Sequence, residues 1–332
     1  MRVLLTGVNG FVGSHLVEYI QKMDNHIEIF GICRWRSNKE NFENAKQDFT
    51  LIDADLLDLG SIIRALDHVK PDFIFHLAAQ SYVVSSFNYP AQTITTNIIG
   101  TLNLLEAIRI LKQDPIVHIC GSSEVYGMVD KKYVPIREDC PFGPSSPYAV
   151  GKVGEDMVAL QYFNTYGIKT VRTRAFSHTG PRRGEVFAAS AFAKQLAAIK
   201  IGLQQNVIYV GNLESVRTFS DVRDTVRAYW LAATKGIPGE VYNVGGIKTV
   251  KIADVLDILK HIADLDPQII VDPKLMRPSD VTLQIPCVDK FTKQTGWIPE
   301  IPLDRTLEDL FFYWKHQLIK NPWKYKNIID SI

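Results

Sequence analysis

Two side chains near the middle of the 332-residue chain have types and a spacing that suit proton transfer. Tyr148 and Lys152 are four residues apart, so on a helix they would lie on one face. A free phenol has a pKa of about 10, and a neighbouring ammonium group lowers that value by stabilising the phenolate. The pair therefore predicts a base that acts on a hydroxyl group.

The residues upstream of this pair help to decide whether its spacing indicates a catalytic role. On its own the spacing is weak evidence, because a tyrosine and a lysine four residues apart are common by chance. Ser122, Ser123 and Glu124 follow an apolar run that is typical of a strand, and the pair comes next in an alternating pattern of strands and helices. We therefore interpret Tyr148 and Lys152 as catalytic.

Three glycines close to the N-terminus predict a dinucleotide site. Gly7, Gly10 and Gly13 lie between an apolar run and an amphipathic helix that begins with Phe11 and Val12. Glycine permits a tight turn and lets the backbone approach a pyrophosphate at the helix N-terminus. The spacing is GxxGxxG, whereas the ordinary dinucleotide fingerprint is GxGxxG.

Basic residues after the second predicted strand favour NADP over NAD as the cofactor. NAD sites usually carry an acidic residue there, which binds the ribose 2′-hydroxyl group. This chain has Arg34, Arg36 and Ser37 instead, and arginine forms charge-assisted hydrogen bonds with phosphate oxygens. The alternative is that both arginines are solvated loop residues, and NAD then stays open.

Two further segments complete the predicted cofactor site. Asp55, followed by Leu56, comes after the third predicted strand, where its carboxylate would either accept a hydrogen bond from the adenine amino group or cap the next turn. Leu77, Ala78 and Ala79 follow the fourth predicted strand. Small residues there would let the backbone lie against the cofactor.

The elements that must position these residues alternate along the first half of the chain. Short apolar runs predict strands, and apolar residues at helical spacing predict the helices between them. The strands are expected at 2–6, 27–33, 50–53, 73–77, 116–120 and 170–174, and the helices at 11–22, 61–69, 100–111 and 146–166. This alternation predicts an α/β fold with a Rossmann-type, doubly wound parallel sheet.

The pattern loosens after residue 174, where a smaller C-terminal α/β lobe is expected to begin. We predict a cofactor-binding domain of residues 1–173 and 216–246, and a substrate-binding lobe of residues 174–215 and 247–332.

Composition argues against several classes of protein. Basic and acidic residues number 37 and 36, so no overall field attracts nucleic acid or an anionic membrane. The N-terminus does not resemble a signal peptide, and no uninterrupted run of about 18 apolar residues predicts a membrane span. The four cysteines show no disulfide or CxxC pattern, and the histidine spacing predicts no metal site. We expect a cytoplasmic protein.

Taken in order, the motifs resemble those of the extended short-chain dehydrogenases/reductases that act on nucleotide sugars. Five motifs occur along the chain in the same order as in that family. They are the glycine motif, the 122–124 segment, the 148–152 pair, residues 174–181 (RAFSHTGP) and residues 277–280 (RPSD). The resemblance implies that Ser122 hydrogen-bonds the reacting hydroxyl group and that Tyr148 removes its proton. It also implies that Lys152 holds the nicotinamide ribose and the phenolate. The alternative from another class of protein is a non-catalytic dinucleotide sensor, which would not need Ser122, Tyr148 and Lys152.

Within that family the chain resembles two groups of enzymes of GDP-mannose metabolism. Residues 181–185 (PRRGE) resemble the GDP-mannose 4,6-dehydratases, whereas residues 211–224 and 276–279 resemble the GDP-4-keto-6-deoxymannose reductases. In a dehydratase, Glu124 would take the C5 proton after C4 is oxidised. We expect the dehydratase, a lyase with bound NADP. The alternatives are the NADPH-dependent 4-reductase and a related enzyme that acts on another nucleotide sugar, such as a GDP-heptose.

The same resemblance implies a set of substrate residues. The segments that approach the nucleotide sugar in this family contain Ser123, Ser177, Arg182, Arg183, Lys194, Arg217 and Arg277. The arginines would bind diphosphate oxygens, and the alternative for Lys194 is a solvated helix residue. Ser177 occupies a position where asparagine is usual in this family, so the resemblance does not fix the identity of the sugar.

The resemblance also implies a homodimer or a homotetramer. In this family the helix that carries the catalytic pair, here 146–166, packs across a dimer interface. The PRRGE segment of the dehydratases contributes to a second interface.

Overall fold

A computed structural model describes residues 1–43, 49–276, 281 and 283–322 of the chain. Its strands β1 to β14 are Arg2–Thr6, Glu28–Cys33, Thr50–Asp53, Phe73–His76, Ile116–Ser122, Thr170–Ala175, His178–Thr179, Val207–Val210, Val216–Thr218, Ser220–Asp221, Val241–Val244, Thr249–Lys251, Gln268–Val271 and Leu283–Gln284. Its helices α1 to α12 are Phe11–Met23, Glu40–Glu43, Leu59–Val69, Val83–Asn88, Pro90–Ile94, Gly100–Leu111, Pro147–Tyr166, Ala188–Lys200, Val222–Lys235, Ile252–Ala263, Asp289–Thr295 and Leu303–Lys320.

The main sheet of the described chain has seven parallel strands in the order β11-β6-β5-β4-β1-β2-β3. The predicted Rossmann-type sheet is thereby confirmed. The chain runs outward from β1 in both directions, so the strand order reverses between β1 and β4. Ligands of such sheets bind outside the carboxyl ends of the strands at this reversal.

Helices cover both faces of the sheet, which explains why its strands are apolar throughout. On one face, Leu16 and Val17 of α1 pack with Tyr229 of α9 against the strands. On the other face, Leu66 of α3 and Leu105 of α6 lie in a second core cluster with residues of α7.

A separate core unit is built from the C-terminal half of the chain. It joins the apolar faces of α8, α10 and α12 to β8, and its buried residues include Phe192, Leu196, Ile208, Leu256, Leu307, Phe311 and Trp314. Two small sheets accompany it, with the orders β12-β9-β14 and β13-β8. All of these elements come after residue 174 in the chain.

Two segments pack differently from the division that we predicted from the sequence. Strand β9, which lies within 216–246, pairs with β12 and β14 instead of joining the main sheet. Phe291 of α11 and Trp297, which lie within 247–332, pack against Tyr242 of β11 and Ala228 of α9. They do so because β11 and α9 present apolar surface that these aromatic rings cover.

One helical run, Pro90–Leu111, is long and apolar enough to cross a membrane by length and composition alone. Leu104, Leu105 and Ile108 in this run are fully buried in the core beside the main sheet. A core helix of an α/β domain passes the same test of length and composition.

Candidate active site

A cavity of about 1110 Å³ opens at the carboxyl ends of the parallel strands, and both core units line it. Small-molecule pockets usually measure about 300–1,000 Å³. This one therefore has room for a large ligand, or for two ligands side by side. Its walls come from the loop after β1, the ends of β4 and β5, the first turns of α7, and α8.

The glycine loop between β1 and α1 forms one end of the cavity, together with Phe11 and Val12. Gly7 has a φ of 67°, and a Cβ atom on it would lie 2.8 Å from the Ala78 backbone nitrogen. A Cβ atom on Gly13 would lie 2.4 Å from the Gly7 carbonyl oxygen. The loop closes tightly only because these positions lack side chains. It leaves the N-terminus of α1 open to an anion such as a pyrophosphate.

The loop after β2 lies at the same end of the cavity. Arg34 and Ser37 line the cavity as predicted for a 2′-phosphate site, but Arg36 does not. Its guanidinium instead lies 4.6 Å from the ring centroid of Trp35, which is largely exposed. With this contact Arg36 lies outside the cavity lining, which corrects the prediction that it lines the cofactor site.

The remaining predicted cofactor residues all line this end of the cavity, namely Asp55, Leu56, Leu77, Ala78 and Ala79. Asp55 also caps a turn, because its Oδ1 accepts a hydrogen bond of 3.0 Å from the Leu57 backbone nitrogen. Both interpretations of this carboxylate are therefore compatible with its position.

Three of the predicted catalytic residues, Ser122, Tyr148 and Lys152, line the same cavity, and each is more than nine-tenths buried. Ser122 ends β5, and its hydroxyl group lies within hydrogen-bond reach of the Tyr148 phenol. Ser146 starts α7 by accepting a hydrogen bond of 3.1 Å from the Ala149 backbone nitrogen. This cap fixes where the first turns of α7 place Tyr148 and Lys152.

The pKa of the Tyr148 phenol is shifted upward, whereas the sequence predicts a lowered value. Burial raises the pKa of Tyr148, and although Lys152 and Ser122 act in the opposite direction, the value stays above the ordinary one. Burial lowers the pKa of Lys152, but Glu155 and Tyr148 more than offset it, so the ammonium is retained. The Lys152 Nζ atom also donates a hydrogen bond of 2.8 Å to the Cys120 carbonyl oxygen.

Glu124 lies in the cavity beside Ser122, in the single helical turn Ser123–Tyr126 that follows β5. Its backbone nitrogen donates a hydrogen bond of 3.2 Å to the Ser122 hydroxyl oxygen. Ser123 hydrogen-bonds Gln284 of β14, and the Gln284 amide nitrogen donates in return to the Ser123 carbonyl oxygen at 3.2 Å. Sequence reasoning missed Gln284, because no motif links residues 161 positions apart.

The far side of the cavity contains most of the predicted substrate residues. Ser177, Lys194 and Arg217 line it, as does Ser123. Lys194 forms an ion pair with Glu185, another cavity residue, so it is not a solvated helix residue. Arg277 lies outside the described residues.

The two arginines of the 181–185 segment point to different places. Arg183 lines the cavity, where its guanidinium lies 3.4 Å from the ring centroid of Phe187. Arg182 does not line it, because its Nη2 atom lies 2.7 Å from Glu18 Oε2 and 3.0 Å from His15 Nδ1 on α1. The prediction that Arg182 contacts substrate is therefore corrected by this ion pair.

Buried histidines near the site have structural partners. His76 lies between the hydroxyl groups of Thr6 and Thr101, at 2.9 and 3.0 Å, and His118 Nε2 lies 2.9 Å from that of Thr173. Burial and the Lys152 ammonium lower the pKa of His76 to about 3. This histidine is therefore neutral near pH 7.

A doubly wound sheet with a glycine-rich first turn, a serine at the end of β5 and a tyrosine–lysine pair on α7 defines an extended short-chain dehydrogenase/reductase. Comparison with known proteins narrows this class. The family model for GDP-mannose 4,6 dehydratase matches residues 4–310. The chain therefore belongs to the GDP-mannose 4,6-dehydratase family.

The individual relatives include both a reductase and a dehydratase. The GDP-6-deoxy-D-mannose reductase of Pseudomonas aeruginosa is 32% identical and covers 96% of this chain and 98% of its own. The GDP-mannose 4,6-dehydratase of Vibrio cholerae is also 32% identical and covers 96% of each chain.

Two solved structures are close in shape. RMD from Pseudomonas aeruginosa in complex with NADPH superimposes with a TM-score of 0.81 at 31% identity, over 95% of this chain and 99% of its own. UDP-glucose 4-epimerase from Thermotoga maritima with UDP-glucose gives 0.86 at 28% identity, over 96% and 100%.

Proposed function

We propose that this protein is a GDP-mannose 4,6-dehydratase that forms a GDP-4-keto-6-deoxy sugar with NADP as a bound cofactor. The observation that carries the proposal is the position of Glu124, a carboxylate in the same cavity as Ser122, Tyr148 and Lys152. Dehydration needs a second group that accepts a proton, besides the base that serves C4 oxidation. The family match over residues 4–310 supports this assignment.

The cavity suits a dinucleotide with a 2′-phosphate. Gly7 and Gly13 form a cradle that a Cβ atom would fill, and Arg34 and Ser37 offer a guanidinium and a hydroxyl group where a carboxylate would repel phosphate. NADP in this cradle would supply the hydride acceptor for C4 and the hydride donor for C6. NAD remains the alternative cofactor if Arg34 does not bind phosphate.

Each catalytic residue then has one task. Ser122 hydrogen-bonds the C4 hydroxyl group, and Tyr148 takes its proton while the Lys152 ammonium stabilises the phenolate. Oxidation to a ketone acidifies the C5 hydrogen, and Glu124 accepts that proton. The proton that Tyr148 took from the C4 hydroxyl group leaves with the C6 hydroxide as water, and the proton on Glu124 returns to C5 when hydride is added at C6. The protons balance, and the overall reaction consumes no reductant.

The substrate lobe supplies the groups that hold the nucleotide sugar. Arg183 and Arg217 lie in the cavity, and arginine binds diphosphate oxygens through paired, charge-assisted hydrogen bonds. We infer that residues 174–215 and the C-terminal unit bind GDP-mannose, while the main sheet binds the cofactor.

A second candidate function is the NADPH-dependent reduction of the 4-keto group. It is favoured by the reductase of Pseudomonas aeruginosa, which is 32% identical over 96% of this chain. Ser122, Tyr148 and Lys152 would serve this reaction equally well, with Tyr148 as the proton donor. Glu124 would then have no proton to remove.

We further propose that the protein is a cytoplasmic homodimer or homotetramer. Helix α7 exposes Val150 and Met157, which are 41% and 37% exposed, beside the catalytic face. A second copy packed along α7 would cover both side chains.

The Glu124→Gln variant tests the dehydratase directly. We expect it to oxidise C4 but not to eliminate water, so the absorbance of reduced cofactor should rise and persist after GDP-mannose is added. The exposed Glu28, changed to glutamine, is the control and should behave like the wild type. Elimination at an undiminished rate in Glu124→Gln would overturn the role of Glu124.

A further inference from the structure

Helix α7 buries a carboxylate that the proposed mechanism does not use. Glu155 is 1% exposed and lies one turn after Lys152. Its Oε2 atom is 2.8 Å from the Lys152 Nζ atom. Apart from this ion pair, neither carboxylate oxygen has a hydrogen-bond partner among the described residues. A buried carboxylate with a single cation beside it is unusual, because burying a charge is costly unless it is paired and hydrogen-bonded.

Among the described residues, Lys152 provides the one positive charge that acts on Glu155. The titratable groups around it and around Lys152 are Tyr148 and Asp156 on α7, Cys120 and His118 on β5, and His76 on β4. The Asp156 carboxylate binds Arg172 and Arg174 of β6, at 2.6 and 2.8 Å. Burial lowers the pKa of both histidines to about 3, so they carry no charge. Glu155 therefore contacts the site through Lys152.

The two members of this pair affect each other in opposite directions. Burial raises the pKa of the Glu155 carboxyl to about 7, even though the Lys152 ammonium lowers it. Burial lowers the pKa of Lys152, whereas Glu155 raises it and the net shift is upward. Glu155 also raises the pKa of Tyr148. Above pH 7 the carboxylate thus favours the protonated forms of both catalytic groups.

We propose that Glu155 is a positioning residue of the active site, which anchors the Lys152 ammonium beside Tyr148 and keeps it protonated at alkaline pH. The inference rests on the proposed function in one respect, since it takes Tyr148 and Lys152 as the catalytic pair. The ammonium is held between the Cys120 carbonyl oxygen and Glu155, each at 2.8 Å. Part of its charge is offset, which leaves Tyr148 a stronger base.

The Glu155→Gln variant tests this role through pH dependence. Glutamine fills nearly the same space without charge, so Lys152 and Tyr148 should both lose their protons at lower pH. We expect the alkaline limb of kcat to move down by about one pH unit, the size of shift that one neighbouring charge produces. Glu155→Asp keeps the charge and should restore the limb in part. It also carries the test if Glu155→Gln does not fold.

The matched control is Asp156→Asn, which removes the neighbouring buried carboxylate that binds Arg172 and Arg174. It should lower stability and leave the alkaline limb in place. If Glu155→Gln lowers stability but its pH profile superimposes on that of the wild type, Glu155 is merely structural and the proposal is wrong.

A titration without turnover separates this inference from the proposed function. The ultraviolet absorbance of the Tyr148 phenolate, taken as the difference from Tyr148→Phe, should appear at lower pH in Glu155→Gln than in the wild type. An unchanged titration would overturn the role of Glu155 even in an active enzyme. Failure of the wild type to convert GDP-mannose would overturn the proposed function and leave this titration to decide the role of Glu155.

Discussion

The proposed chemistry depends first on two single residues, Tyr148 and Lys152, which line one cavity. Tyr148 and Lys152 meet because a helix places residues four apart on one face, and this spacing is visible in the sequence. Arg36 and Arg182 were misplaced, because the spacing of a loop does not say which arginine turns inward. The direction of each arginine side chain depends on its contacts in the fold, such as the ion pair of Arg182 with Glu18. Glu155 belongs to no motif, and only its burial beside Lys152 singles it out.

Replacing Tyr148 with phenylalanine should abolish turnover and leave cofactor binding largely intact, because the ring still fills its place while the acidic hydroxyl group is gone. Initial rates and a cofactor titration measure the two effects. Tyr162→Phe is the control, since this tyrosine of α7 binds Glu106 outside the cavity at 2.9 Å. A Tyr148→Phe enzyme with near-normal rates would contradict the mechanism.

Cofactor choice should depend on Arg34 and not on Arg36, because Arg34 lines the cavity and Arg36 does not. A hydrogen bond to a charged group contributes about 1.5–3 kcal/mol, so Arg34→Ala should weaken NADP binding by roughly tenfold to a hundredfold and leave NAD binding unchanged. Arg36→Ala should alter neither. Binding titrations with both cofactors measure this, and equal losses in the two variants would argue against the 2′-phosphate site.

Six of the seven strands of the main sheet were predicted, because buried parallel strands and amphipathic helices leave strong periodic patterns, but β11 was not. The helical segments between Val83 and Ile99 were not predicted, since they are rich in β-branched and polar residues with modest helix propensity. Tertiary contacts hold them. Asn97 accepts a hydrogen bond of 2.9 Å from the Gln80 backbone nitrogen and donates one to its carbonyl oxygen. The pairing of β9 with β12 and β14 likewise joins distant segments, which no local pattern reveals.

The start of α7 should contribute measurably to stability through its cap. Ser146→Ala removes the hydrogen bond to the Ala149 backbone nitrogen and should lower the free energy of unfolding by about 1 kcal/mol. Denaturant unfolding measures the change. The neighbouring Ser145, whose hydroxyl group donates a hydrogen bond of 3.3 Å to the Gly143 carbonyl oxygen, provides the control. Equal stabilities for Ser146→Ala and Ser145→Ala would rule out the cap.

The whole molecule joins two core units around one cavity. The main sheet contributes the glycine loop, helix α7 beside it contributes the proposed catalytic pair, and the C-terminal unit contributes Lys194 and Arg217. The sequence alone indicates the functional residues of each unit separately, because each motif lies within one unit. It does not predict that Gln284 of β14 reaches Ser123, a contact that ties the C-terminal unit to the catalytic segment.

Incubation of the purified protein with GDP-mannose and no added cofactor, followed by mass spectrometry, tests the central claim most directly. The dehydratase returns its hydride to the sugar, so we predict a product that has lost one water while its GDP group is intact. If GDP-mannose stays unchanged, and NADPH is consumed only when the 4-keto-6-deoxy sugar is supplied, the dehydratase assignment is contradicted and the protein is the reductase.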